Sequence, residues 1–148
     1  MSGYLIALSI AALAGLLMAV QGSMNSALGK TTGVLEATFV VHAIGAAFAL
    51  ILLLLGLRSA SGGLDHWQQA PWWSYLGGLL GVGLTYGVAR AIPEAGVAAA
   101  TTAIIIGQVS TAAFIDHFGL FGLEPIGFDW WKTLGLVFLA AGGYCLLK

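Results

Sequence analysis

Six side chains of this 148-residue chain could do chemistry inside an apolar setting: Gln21, Asn25, His42, Tyr86, Gln108 and Asp116. The amides of Gln21, Asn25 and Gln108 donate and accept hydrogen bonds without carrying charge. With the Tyr86 hydroxyl they could hold a polar or zwitterionic solute without selecting one sign of charge. Histidine changes charge near neutral pH, and a carboxylate at membrane depth can relay protons. His42 and Asp116 are therefore the candidates for coupling solute movement to protons.

Each of these residues also has a plainer reading. Gln21 and Asn25 sit four apart on one helix face, where interhelical hydrogen bonds contribute about 0.6 kcal/mol each. His42 could be a packing residue. Arg90, four residues after Tyr86, can snorkel and pair with Glu94. Gln108 shares a face with Thr101. Asp116 and His117 fall just before Gly119, where they could close a helix end through hydrogen bonds.

The chain holds no nucleophile–base–acid spacing, no phosphate-binding glycine loop and no deep pair of carboxylates, so no enzyme is expected. His42, His66 and His117 lie too far apart in sequence for a metal-ligand motif, and no metal or cofactor is implied. Cys145 is the single cysteine, which excludes an intramolecular disulfide.

The elements that position these groups follow from composition. Apolar residues make up 59% of the chain and charged residues 7%, against about 25% charged in an ordinary soluble domain. So few charges cannot cover a soluble surface, and the expectation is an integral membrane protein. The net charge of −1 offers no basic face for nucleic acid. Residues Met1 to Gly3 lack the basic stretch of a secretory signal peptide.

Polar breaks divide the sequence into five apolar segments, 3–28, 34–57, 72–91, 96–115 and 130–147, within a single transmembrane domain spanning 1–148. A helix needs about 20 residues to cross the hydrocarbon, so the last segment is marginal. Unbroken apolar runs argue against a β-barrel. Pro71, Pro93 and Pro125 all fall in the expected loops, where a missing N–H does no harm. Small residues recur at steps of four: Ala11, Gly15, Ala19, Ser23 and Ala27 in the first segment, and Ala99, Ala103, Gly107 and Thr111 in the fourth. Gly77 with Gly81, and Gly83 with Gly87, do the same in the third. Such stripes predict close helix packing, within a tight bundle or in a dimer.

Orientation is weakly specified. Five crossings place Arg58 and Lys132 on the N-terminal side and Lys30, Arg90 and Lys148 on the other. A difference of one cation leaves two readings open: a protein oriented by other features, or copies that insert both ways and pair antiparallel. Five helices barely enclose a pathway and ten could, which favours the second. All five tryptophans, Trp67, Trp72, Trp73, Trp130 and Trp131, fall on the N-terminal side, as suits an interfacial belt.

Four stretches carry a resemblance. "GQVSTAAFIDHFGLFG", "QGSMNSALGK", "GGLLGVGLTYGVARAIPEAGVAAAT" and "KTLGLVFLAAGGYCLL" resemble passages of the YdcZ-like family of the drug/metabolite transporter superfamily. The likeness covers nearly the whole chain. It implies an all-α, five-helix protein of the bacterial inner membrane that forms half of a larger ten-helix transporter, by pairing antiparallel or by fusion. It also implies distant kinship with small multidrug resistance exporters, which exchange protons for cations on a first-helix glutamate. This chain has no acid in its first segment and places Gln21 and Asn25 there instead, so the expected solute is held by neutral groups. The expectation is an alternating-access carrier for a small solute, built from a homodimer or a pair with a close paralogue. The alternatives are a passive dual-topology channel and a non-transporting subunit or scaffold.

Overall fold

Long runs of Leu, Ala, Ile, Val and Gly leave the backbone to satisfy its own hydrogen bonds wherever water is absent, and helices are the form that does so within one segment. The computed structural model describes residues 2–57 and 63–147. It is all-helical: α1 (Ser2–Thr32), α2 (Val34–Leu54), α3 (Leu76–Ala95), α4 (Val97–Phe118) and α5 (Trp130–Leu146). Short 3-10 turns occupy Leu64–Gln69, Trp72–Tyr75 and Leu120–Gly122. Four helical stretches are long and apolar enough to cross a membrane: Gly3–Thr32, Val34–Leu54, Trp72–Ala95 and Val97–Phe118. α5 has 17 residues, about 25 Å of helix against a hydrocarbon thickness of about 30 Å. Arg58 and Lys148, two of the five cations behind the orientation argument, lie outside the described residues.

The chain forms two compact units, Met1–Pro93 and Glu94–Lys148. In the first, α1 and α2 make a tight antiparallel hairpin through Gly33. Its φ of 99° is a conformation that favours glycine, and the Glu36 carboxylate occupies the place a Cβ at residue 33 would need. That carboxylate sits in the first turn of α2, where the helix dipole favours negative charge. The hairpin is closed by Gly33 N–H to the Gly29 carbonyl at 3.0 Å and Ala37 N–H to the Gly33 carbonyl at 2.9 Å.

The packed face of α1 is Gly22, Asn25, Ser26 and Gly29. It differs from the expected stripe: Ala11, Gly15 and Ala27 are exposed, and Ala19 and Ser23 only half-buried. A Cβ at Gly22 would lie 2.9 Å from Val88 Cγ1, so α3 comes against α1 there, while Gly29 lies against Val34 and Ala37 of α2. On α3 the packed line is Thr85, Val88, Ala89 and Ile92, which continues the Gly77–Gly81 register; Gly83 and Gly87 face open space.

In the second unit, α4 and α5 meet at Gly143. A Cβ there would lie 2.5 Å from Ile106 Cδ1 and 3.3 Å from Thr102 Cγ2. The expected α4 stripe is again displaced, since Ala103, Gly107 and Thr111 are exposed and Ala100 is buried. Pro93 is also a correction, because it lies inside α3 rather than in a loop. It stands in the last turn, where the ring removes one backbone hydrogen bond and little helix remains to disrupt. The outward faces of the spans carry Leu, Ile, Val and Phe, as a lipid-facing surface requires.

Candidate functional site

The first unit is built inside out. Its buried side chains are small or polar, with Asn25, Ser26, Thr38 and Thr85 enclosed alongside Ala37, Ala89 and Ile92. These polar residues come from three helices. Asn25 and Ser26 come from the packed face of α1, Thr38 from α2, and Thr85 from α3. Apolar residues face outward because lipid solvates them as well as protein does, while polar groups turn inward because lipid cannot hydrogen-bond them.

Asn25 is only 6% exposed. Among the described residues its amide takes up no hydrogen bond, and no fully enclosed side-chain N or O lacks a partner. The amide is therefore not wholly sealed from the surface. Thr38 is handled differently: its hydroxyl donates to the Val34 carbonyl of its own helix at 2.8 Å, a local bond that needs no tertiary partner.

His42 lies one turn beyond Thr38 on α2 and is half-buried. Its Nδ1 is 2.8 Å from the Thr38 carbonyl oxygen. A carbonyl can only accept, so Nδ1 carries a hydrogen, and in the neutral tautomer this selects Nε2 is the open acceptor. Nε2 faces α3, 3.7 Å from where a Cβ at Gly81 would stand.

The other candidates are placed otherwise. Gln21 is exposed on α1, although it lies only one turn from Asn25. Tyr86 neighbours Thr85 but is 43% exposed. Gln108 is exposed on α4 of the second unit. Asp116 is half-buried near the end of α4. There its backbone carbonyl accepts from Ile126 N–H at 2.7 Å and Gly119 N–H at 3.4 Å. Gly119 itself is left-handed, with φ 60°. The neighbouring His117 accepts from Phe128 N–H through Nδ1 at 3.3 Å and meets the Phe128 ring edge-on. This region ties the loop to the helix end, as the helix-closing reading anticipates. Among the described residues no cluster of His, Cys, Asp or Glu could hold a metal ion.

Ser26, Thr38 and Thr85 escaped the sequence reading, which took Gly81 as a packing residue. Two spacings could have found the threonines: Thr38 lies four before His42, and Thr85 four after Gly81.

The geometry is that of an apolar membrane bundle with a polar seam, and the family relation agrees with it. The model of DMT_YdcZ, described as "Putative inner membrane exporter, YdcZ", matches residues 6–145. The chain belongs to the YdcZ family. Comparison with curated proteins and with solved structures gives no match. Membership and the four apolar spans make it a multi-pass protein of the inner membrane, of a transporter family.

Proposed function

We propose that this YdcZ-family chain is one half of a secondary transporter that exports a small polar or zwitterionic solute by alternating access. The complete machine is an antiparallel pair of copies, or a pair with a close paralogue, giving ten helices. Gln21, Asn25, Tyr86 and Gln108 hold the solute by hydrogen bonds near the midplane, and His42 or Asp116 couples its passage to protons. The direction follows the exporter description of the family.

The observation that carries this reading is the state of the amides at membrane depth. Asn25 is enclosed without a hydrogen-bond partner, and Gln21 and Gln108 are exposed on helices apolar enough to cross lipid. Lipid cannot satisfy such groups, so protein or a water-filled path covers them. An antiparallel pair supplies both, and rocking of one half against the other opens the path to each side in turn.

Electrical recording on reconstituted vesicles exposed to a broad solute panel tests the proposal. Saturable flux with counter-exchange is the expected result. Current proportional to driving force, at rates far above alternating access, would replace the carrier with a pore. No binding and no flux would leave a scaffold. C-terminal reporter fusions test the pairing separately: signal from both membrane faces is expected, and a single orientation removes the homodimer.

A further inference from the structure

We infer that His42 Nε2 is the acceptor for an N–H or O–H of the transported solute, and that a proton competes with the solute for that lone pair. The inference rests on the transporter reading above and names the atom and the solute class for its site.

Three observations converge on this nitrogen. First, the other ring nitrogen is already committed: Nδ1–H donates to the Thr38 carbonyl at 2.8 Å. The bond fixes the ring and its tautomer, leaving Nε2 as a bare acceptor. Second, Nε2 lies beside a glycine of α3 and no other side chain crowds that position. A Cβ built at Gly81 would find Nε2 at 3.7 Å and no other atom within 4 Å, and nothing crowds Gly77 or Gly78. Third, the same three-helix unit encloses Asn25 with its amide unpartnered among the described residues. An acceptor on α2 and an amide on α1, each without a protein partner, suit a ligand bearing hydrogen-bond donors.

The charges around His42 leave the competition to the solute and the proton. On α2 the other titratable group is Glu36, six residues back at the Gly33 turn. α1 carries Lys30 in its last turn and Tyr4 in its first, with no acid or base between them. On α3, Tyr86, Arg90 and Glu94 lie five, nine and thirteen residues beyond Gly81, about 7, 13 and 20 Å along the axis. A proton taken from water adds to the Nε2 lone pair and leaves by the same route. While it is there the ring is a cation with two donors and repels an N–H or O–H. Solute and proton thus occupy one atom alternately, which is the condition for exchanging one against the other.

The test uses the full chain in lipid bilayers, with histidine labelled by nitrogen-15 and its signals read by solid-state NMR. His42→Gln identifies the His42 resonances by subtraction from those of His66 and His117. The expected neutral form is Nδ1–H, with an unprotonated Nε2 signal that is lost reversibly on acidification. The probes are small amines paired with their fully N-methylated counterparts. Amines with N–H groups should shift the Nε2 signal and retard its protonation, and their donorless counterparts should not. Gly81→Val, which fills the space before Nε2, should abolish the amine-induced shift while Nδ1 stays bonded. An Nε2–H tautomer, a ring that does not titrate, or indifference to N-methylation overturns the inference. In vesicles, flux in His42→Gln should lose its pH dependence. Flux that keeps it overturns this assignment and leaves the transporter reading standing, whereas absence of any flux in the unmutated chain overturns the transporter reading itself.

Discussion

The two units differ in the side chains they bury. Between α4 and α5 the contact is steric: Gly143 admits Ile106 so closely that a Cβ would force the Ile106 side chain to shift, and Thr102 bonds back to the Ala98 carbonyl at 2.8 Å. The polar side chains seen bonding in that unit gather at the helix ends, where His117 holds Phe128 and Asp129 caps α5. Among α1, α2 and α3 the close approaches are steric too, Gly22 against Val88 and Gly29 against Val34 and Ala37, but four polar side chains, Asn25, Ser26, Thr38 and Thr85, are buried and His42 is half-buried. Polar groups at helix ends close the fold, because water and free backbone groups are available there. Polar groups buried at membrane depth gain little by packing alone, and under the proposed function those of the first unit belong to the ligand site.

The largest expected effect breaks the polar seam without breaking its helices. Asn25→Leu should weaken solute binding roughly 10- to 100-fold, the equivalent of about 1–3 kcal/mol for a lost buried hydrogen bond. It should leave thermal unfolding in detergent near the wild-type value, because the amide it removes has no protein partner. Calorimetric titration and a melting curve on one preparation decide this. Unfolding together with lost binding would make Asn25 a packing residue like Gly143, and the contrast between the units would fail.

Gly143→Val probes the other side of the comparison. Overpacking of this kind costs about 1–3 kcal/mol. The melting temperature of the whole chain should fall while affinity per folded molecule stays unchanged. Adding Ile106→Ala, which removes the atom that collides, should restore most of the loss. Failure of that rescue would mean that Gly143 matters for something other than the approach of Ile106.

The same contrast explains what could be read before the fold was seen. Five helices were legible because apolar runs separated by polar breaks admit few other structures in lipid. The helix-closing role of the Asp116–His117 region was legible because Gly119 follows it directly. The packing faces were not. α1 carries small residues at steps of four on more than one face: Ala11 to Ala27 on one, Gly22 with Ser26 on another, and Gly29 one turn after Asn25. Spacing alone cannot choose among faces, since the choice depends on where α2 and α3 lie. The direction of the His42 ring was hidden for the same reason, being set by the Thr38 carbonyl and by the glycine opposite on α3. Pro93 misled because a proline in the last turn of a helix looks, in sequence, like a proline in the loop beyond it.

Two smaller effects sharpen the claim that helix-end polar groups serve the fold. His117→Phe keeps an aromatic edge against Phe128 and removes the acceptor for its N–H. A loss of about 1 kcal/mol is expected, read as faster hydrogen exchange at Phe128 with solute binding untouched. Asp129→Ala should cost about the same or less, because Asp129 Oδ1 accepts from Lys132 N–H at 2.8 Å as the N-cap of α5. Asp129→Asn should recover most of it, since an amide oxygen caps as well as a carboxylate. If the asparagine variant folds but does not transport, the carboxylate is acting on the solute or on a proton, and the division between fold-closing ends and a ligand-bearing seam would have to be redrawn to include the start of α5.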